Sequence, residues 1–341
     1  MSSKTPQVSV LIPCRNEVRH IEHCLTNIYG FTPPPRGYEV IVIDGMSNDG
    51  TRDILWGLRK RYPGLIVLDN LQRTVSHGMN KGIQRARGEY IVRADVRCIH
   101  PPNYLLDLIE VSKETMADNV GGVLVPISGE TYVQKSIALA YKSRIAMGGA
   151  LRDRGDFVGE TDTVYGGCFK KSRLIEIGMY DEDMVRNQDD ELSFRLRKKG
   201  GKIVQHGKIK IQYFPRSRYS QLFKQFMQYG YWKVAVIEKH AQQASFRHVL
   251  PALFVTGLLV LSVLAPFNEY ALTSLLLYLA SYLIAVGLGI FQLTRKDDLR
   301  LWPGVVAAIV LIHVSFGIGF LISLITKILH RNLKYFESLS R

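Results

Sequence analysis

The chain has 341 residues, 44 Lys and Arg against 30 Asp and Glu, and a formal net charge of +14. That length holds one large domain with an attached membrane segment, and without a nucleic-acid reader motif the basic excess excludes nucleic acid and suits an anionic lipid surface or simply a solvated basic face. Cys14, Cys24, Cys98 and Cys168 lack metal-ligand spacing and read as reduced cytosolic thiols, and the polar start Met1 to Gln7 has no apolar h-region, so no signal peptide is expected.

In chain order, Val8 to Pro13 is a β-branched run that reads as a buried strand. Glu17 to Ile28 has helical apolar spacing. Tyr38 to Ile43 is a second strand, ending at Asp44, and Asp49 to Arg61 suits a helix capped by Asn48 or Asp49. Leu65 to Asp69 is a third strand, His77 to Ala86 a helix, and Glu89 to Val92 a fourth strand leading into Arg93, Ala94 and Asp95. This alternation predicts an α/β fold with a mostly parallel sheet, whose ligands sit beyond the carboxyl ends of the strands. Pro13, Asp44 and Asp95 all fall at that edge.

Ser220 to Glu238 reads as amphipathic, with Phe223, Phe226, Met227, Tyr231 and Trp232 suited to the interface plane of a membrane. Three apolar runs follow, at residues 249–267, 271–293 and 303–325, each near the roughly 20 residues that a crossing needs. The expected organisation is a head at 1–215, an interfacial segment at 216–248 and a membrane region at 249–341. Arg216, Arg218, Lys224, Lys233, Lys239 and Arg247 precede the first run, and Arg295, Lys296 and Arg300 lie between the second and third. Positive charge marks the cytoplasmic side, so the head is expected on the cytoplasmic face of the cell membrane. Three spans are expected, although they would leave Lys327, Arg331, Lys334 and Arg341 outside, against the same rule. A break at Gly304, Gly317 and Gly319, near His313 and Ser315, would instead let the last run fold back.

Four patterns carry chemistry. Asp44-Gly45-Met46-Ser47-Asn48-Asp49-Gly50-Thr51 leaves a strand and enters a helix, which suits a base or ribose contact and equally suits a simple turn with a cap. Asp95 and Arg97 stand two apart; the Arg can meet phosphate oxygens bidentately, or the two can form a surface pair. Asp189, Asp190 and Glu191 open a helix, where the macrodipole alone would favour them, while a general base is the functional alternative. Gln228 and Trp232 lie in the amphipathic stretch, as a membrane-docking face or an acceptor or donor platform in which Trp232 stacks on a sugar.

Taken together, residues of about 7 to 240 resemble a family 2 glycosyltransferase of the GT-A fold. Val8 to Glu17 resembles the family's opening strand and loop, Asp44 to Thr51 its nucleotide-binding turn, and Asn80 to Tyr90 its donor-side helix. Asp95-Val96-Arg97 occupies the place of the DxD motif. Gly166 to Phe169, followed by Ile177 to Asp181, resembles the acceptor-side segment. Gln188-Asp189 stands at the ED motif and Gln228 to Trp232 at a degenerate QxxRW. Asp162 to Gly167 and His313 to Phe320 are similar to the ExoA-like succinoglycan-biosynthesis group.

The resemblance implies an inverting transfer of a hexose from a nucleotide sugar, UDP-linked by expectation, to a polyprenyl-diphosphate-linked saccharide. A polyprenyl-monophosphate transferase or a membrane pseudoenzyme are the alternatives. Implied roles are Asp189 as catalytic base, Pro13, Asn16, Glu17, Asp44, Asp95 and Arg97 on the donor, and Gln228 and Trp232 on the acceptor or membrane side. A Mg²⁺ or Mn²⁺ is implied at Asp95. The departures are Arg97 for the second acid of DxD, Gln188 for the Glu of ED, and Tyr231 for the Arg of QxxRW, the last speaking against a processive synthase.

Overall fold

A computed structural model describes residues 5–148, 157–240, 246–291 and 296–329. Met1 to Lys4, residues 292–293 of the second apolar run, Arg295, Arg331, Lys334 and Arg341 lie outside them. The chain divides into two compact units, and the division in the second half falls after Tyr213. A segment that begins at Pro126 also groups with the C-terminal unit, an assignment absent from the sequence reading.

The first unit opens with β1 (Val8–Cys14), α1 (Ile21–Tyr29), β2 (Tyr38–Asp44), α2 (Thr51–Arg61), β3 (Leu65–Asp69), α3 (Val75–Arg85) and β4 (Tyr90–Arg93). After β5 (Cys98–Ile99), α4 (Tyr104–Thr115) and β6 (Asn119–Pro126), the chain forms α5 (Tyr132–Lys142) and α6 (Arg144–Met147) in the second unit. It returns with β7 (Val158–Glu160), β8 (Tyr165–Lys170), α7 (Lys171–Glu176), α8 (Gln188–Lys198) and β9 (Ile203–Tyr213).

These strands make one sheet in the order β3-β2-β1-β4-β8-β6-β9-β5, with β7 on β9. The first four are parallel, while β8 runs antiparallel to both β4 and β6. Six of the seven residues of β1 are buried, as a parallel strand covered on both faces requires. One core packs Ile21, Leu25 and Ile28 of α1 with Val8, Val10 and Ile12; the other face packs Leu11, Ile41 and Ile43 with Met79 and Ile83.

Two helix starts differ from the sequence reading for local reasons. Helix α1 begins at Ile21, not Glu17, because Asn16 turns at φ 55 and the Glu17 N–H donates to Thr51 Oγ1 at 2.9 Å. The α2 cap is Gly50 at φ 96, neither Asn48 nor Asp49. Asp49 still serves that end: its Oδ1 accepts from the Thr51 N–H at 3.1 Å.

The second unit adds α9 (Tyr219–His240), α10 (Phe246–Leu264), α11 (Glu269–Phe291) and α12 (Trp302–Ile328). Three segments, His248–Phe267, Glu269–Phe291 and Leu299–Ile328, are long and apolar enough to cross a membrane. Helix α9 packs along α12, with Leu222 and Phe226 against Val305, Ile309 and Ile312. Backbones touch where side chains are missing: a Cβ on Gly230 would lie 2.0 Å from Phe316 O, and one on Gly319 would lie 2.0 Å from Met227 O. Gly319→Ala is therefore expected to force the helices apart and destabilise this unit by roughly 1–3 kcal/mol, the usual range for overpacking. A thermal melt of the purified chain in detergent would measure it.

Candidate active site

The carboxyl ends of β1, β2 and β4 are laced together by their loops. The Asn16 N–H donates to Ser47 Oγ at 2.8 Å, and the Asn48 N–H returns to Asn16 Oδ1 at 3.0 Å. Arg97, past β4, holds both oxygens of Glu17 through Nε at 3.0 Å. Pro13 is half-buried in β1, in register with Ile43.

Asp44 ends β2 in register with Asp69 at the end of β3. Its side chain is completely buried. Ser47 donates to it through Oγ at 2.5 Å, and Arg52 Nη1 bridges Asp44 at 2.7 Å and Asp69 at 2.8 Å. A buried carboxylate needs such a donor set. Neither Ser47, Arg52 nor Asp69 was singled out in the sequence; the register of β2 with β3 is what pairs the two acids.

Arg93, the last residue of β4, organises the other carboxylates. Its Nε donates to Asp95 Oδ1 at 2.8 Å, and its Nη1 to Asp189 Oδ1 and Oδ2 at 2.6 and 2.7 Å. Tyr165, at the start of β8, donates its hydroxyl to Asp95 Oδ2 at 2.6 Å. Gly166 and Gly167 follow at φ 68 and φ 80, and a Cβ on Gly167 would lie 2.5 Å from Asn119 Oδ1, so only glycine fits there. Asp189 stands in the first turn of α8, whose neighbour Glu191 is fully buried and paired with Arg195 at 2.7 Å. Arg195 in turn donates to the carbonyls of Ile177 and Met179. Asn80 holds the same segment through the N–H and C=O of Tyr180. Glu191 therefore differs from Asp189: its carboxylate is committed to Arg195 as scaffold.

The protonation directions agree with this geometry. Burial would raise the Asp95 pKa, but Arg93 and the Tyr165 hydroxyl outweigh it, holding the carboxyl below its ordinary range. Burial favours the neutral form of Arg93, yet Asp189 and Asp95 keep it charged. Desolvation pushes Asp189 upward; Arg93 opposes that, and Asp95 adds to it. Desolvation therefore leaves the Asp189 carboxyl above its ordinary range despite Arg93, while 39% of its side chain is exposed.

Of the predicted residues, Asp95 and Asp189 converge on one guanidinium, and Glu17 and Arg97 form a pair. Asp44 sits two strands away in its own buried network. The Asp95–Arg97 surface pair does not form: β4 ends at Arg93, so the i, i+2 relation on that edge joins Arg93 to Asp95. Arg93 itself went unassigned because a lone Arg before the Asp resembles a strand residue. In the other unit, Gln228 is buried, and the Trp232 indole N–H is buried without an acceptor among the described residues.

A Mg²⁺ or Mn²⁺ at Asp95 would meet a poor ligand set. Both oxygens of Asp95 already accept from Arg93 and Tyr165, and Arg97 stands where a second acid would be. No group of three or more His, Cys, Asp or Glu among the described residues could hold a metal ion. The residues as folded do not fit the ion.

Comparison with known proteins agrees with the sheet topology. Residues 9–171 match the family described as Glycosyl transferase family 2. The chain carries a family 2 glycosyltransferase domain of GT-A fold, and it is a glycosyltransferase. Succinoglycan biosynthesis protein ExoA of Rhizobium meliloti (strain 1021) is 28% identical over 91% of this chain and 93% of its own length. A dolichyl N-acetyl-alpha-D-glucosaminyl phosphate 3-beta-D-2,3-diacetamido-2,3-dideoxy-beta-D-glucuronosyltransferase of Methanococcus voltae is 26% identical over 74% of this chain and 83% of its own. Among solved structures, the mannosyltransferase PcManGT of Pyrobaculum calidifontis, in complex with GDP-Man and Mn²⁺, has a TM-score of 0.58 at 20% identity, covering 91% of this chain and 87% of its own. GalNAc-T7 with UDP, GalNAc and Mn²⁺ has a TM-score of 0.51 at 17% identity, covering 68% and 48%. Both likenesses support the fold.

Removing Arg93 should leave Asp95 and Asp189 without their shared counter-charge. Arg93→Met is expected to cost about 3 kcal/mol, the lower end for a broken buried pair because Asp189 stays partly open. Chemical denaturation followed by tryptophan fluorescence would read it.

Proposed function

We propose that this chain moves a hexose from a nucleotide-diphosphate sugar, UDP-linked by preference, to a lipid-linked saccharide at the cytoplasmic membrane face, with inversion at the anomeric carbon. The observation that carries the reading is the Arg93 bridge, which gathers Asp95 and Asp189 at the strand ends where α/β sheets take their ligands. The long apolar helices, and relatives whose names include succinoglycan biosynthesis and a dolichyl-linked acceptor, support a lipid-borne acceptor and a place in polysaccharide assembly.

In this mechanism Asp189 takes the proton from the acceptor hydroxyl as its oxygen attacks the anomeric carbon and the bond to the diphosphate breaks. Arg93 holds that carboxylate in place; a carboxylate has about four lone-pair sites, so its bond to Arg93 leaves room for the acceptor. Pro13, Asn16 and Glu17 line the donor loop, Asp44 meets the base or ribose once Arg52 gives way, and Asp95 approaches the ribose side. Arg97 answers the charge that develops on the leaving diphosphate. Gln228 and Trp232 serve the acceptor, the Trp indole N–H supplying a hydrogen bond that no described residue accepts.

A second reading, transfer onto a polyprenyl monophosphate itself, shares the fold and anchor. The mass of the product lipid distinguishes a diphosphate-linked oligosaccharide from a monophosphate-linked single sugar.

Asp189→Asn is expected to lower turnover by about 10²–10⁴-fold, the usual contribution of a general base, while donor affinity is kept. Steady-state transfer assays with donor titration test this; turnover like that of the unaltered chain removes Asp189 from the role. Because Asp95 lacks a free ligand set, thermal stabilisation by a bound UDP-sugar is expected to persist in EDTA. A melt that loses the donor's effect in EDTA and regains it with Mn²⁺ would count against Arg97 as the phosphate partner.

A further inference from the structure

Within the C-terminal unit, the helix contacts restrict which apolar segments can cross a bilayer together. Helices α9 and α12 run side by side in the same direction. Tyr219 bonds the Gly304 carbonyl, Met227 meets Gly319, Gly230 meets Phe316, and Glu238 pairs with Lys327. Helices α10 and α11 form an antiparallel hairpin: Phe254 stacks on Tyr282, and Gly257 faces the Tyr278 hydroxyl.

Both arms of that hairpin meet α12. On α10, Val255 and Pro251 abut Gly317, while Ala252 packs with Phe320. On α11, Tyr282 bonds His313 at 2.9 Å and Phe291 faces Trp302. The α11 contacts run opposite to α12, and those of α10 gather at one turn around Gly317. Between Trp302 and Gly317, α12 therefore passes from the end of α11 to the start of α10, across the hairpin and not along one arm. The hairpin and the α9–α12 pair do not share one axis.

Three observations choose between them. An upright α12 would carry α9 with it, and α9 holds Lys224, Lys233, Glu238 and Lys239 in 22 residues. The outer half of the hairpin exposes large apolar side chains such as Val263, Leu277 and Phe267, the last at 86%. By contrast, 44% of the apolar window of α12 is buried in protein, against 11% in each hairpin arm. At about 1.5 Å per residue, each hairpin arm reaches the roughly 30 Å of a hydrocarbon core.

We infer that the α10–α11 hairpin alone crosses the bilayer, and that α12 lies with α9 along the near face, so that the end of α12 stays on the side where α10 begins. With two crossings, Lys296 and Arg300 after α11 and Lys327 at the end of α12 fall on one side. That removes the conflict with the positive-inside rule that three crossings create.

The inference rests on the membrane placement proposed above and not on sugar transfer; retention in the membrane pellet after an alkaline carbonate wash tests that placement separately. The four native cysteines are buried, so single cysteines can be placed in the full chain at exposed Ser217, Asn268 and Leu329. A membrane-impermeant maleimide is applied to sealed right-side-out and inverted vesicles. Ser217→Cys and Leu329→Cys are expected to label in the same orientation, and Asn268→Cys only in the opposite one. Leu329→Cys labelling together with Asn268→Cys means three crossings and overturns the inference. Asn268→Cys labelling together with Ser217→Cys, or in neither orientation, means that the hairpin does not cross, and overturns it equally.

Discussion

One buried guanidinium sets the geometry of the sheet edge. Arg93 leaves β4 with its charge inside the protein, where it must be matched, and Asp95 and Asp189 match it. That demand fixes the turn after β4 against the first turn of α8, segments nearly a hundred residues apart in the chain. The fold supplies the supports: β8 beside β4 brings Tyr165 onto Asp95, and Asn80 and Arg195 hold the stretch that leads into α8. A metal ion could join two such carboxylates in a related enzyme. Here a side chain of the chain itself does so, and brings planar, directed hydrogen bonds where an ion would bring adjustable coordination.

The C-terminal unit solves a different problem by the same economy of groups. Apolar helices gain little from one another in lipid except close contact, so small residues decide which of them associate. Gly230 and Gly319 let α9 approach the backbone of α12, and Gly317 does so for α10. Hydropathy sees three equivalent runs; the glycines give them different neighbours, and neighbours set orientation.

Much of the head was legible in the residues. The β-branched runs at Val8, Tyr38 and Leu65 gave strands within a residue or two, since a buried parallel strand leaves few alternatives to Val, Ile and Leu. Helix starts were less legible: the delay of α1 depends on Thr51, distant in sequence, accepting from the Glu17 N–H. Asp95 and Asp189 could be selected because motif order marks them. Arg93 could not, because its partners are chosen by β4, β8 and α8 coming together, and no spacing along the chain encodes that meeting. Likewise the passage of α12 from one arm of the hairpin to the other is invisible to hydropathy, which records how apolar a helix is and not what it packs against.

The Arg52 bridge has a consequence for how this edge greets a visitor. Arg52 is one cation facing two carboxylates, so it offsets only part of the negative charge of Asp44 and Asp69, and the fully buried Asp44 is reached only past its guanidinium. A ligand group that seeks Asp44 must displace a cation at close range, and the freed guanidinium then becomes available to whatever anionic part the ligand carries. On the proposed reading of Asp44 as a donor contact, binding at this corner is a swap of partners, and selectivity would depend on a newcomer offering both a donor for the acid and an acceptor for the released arginine.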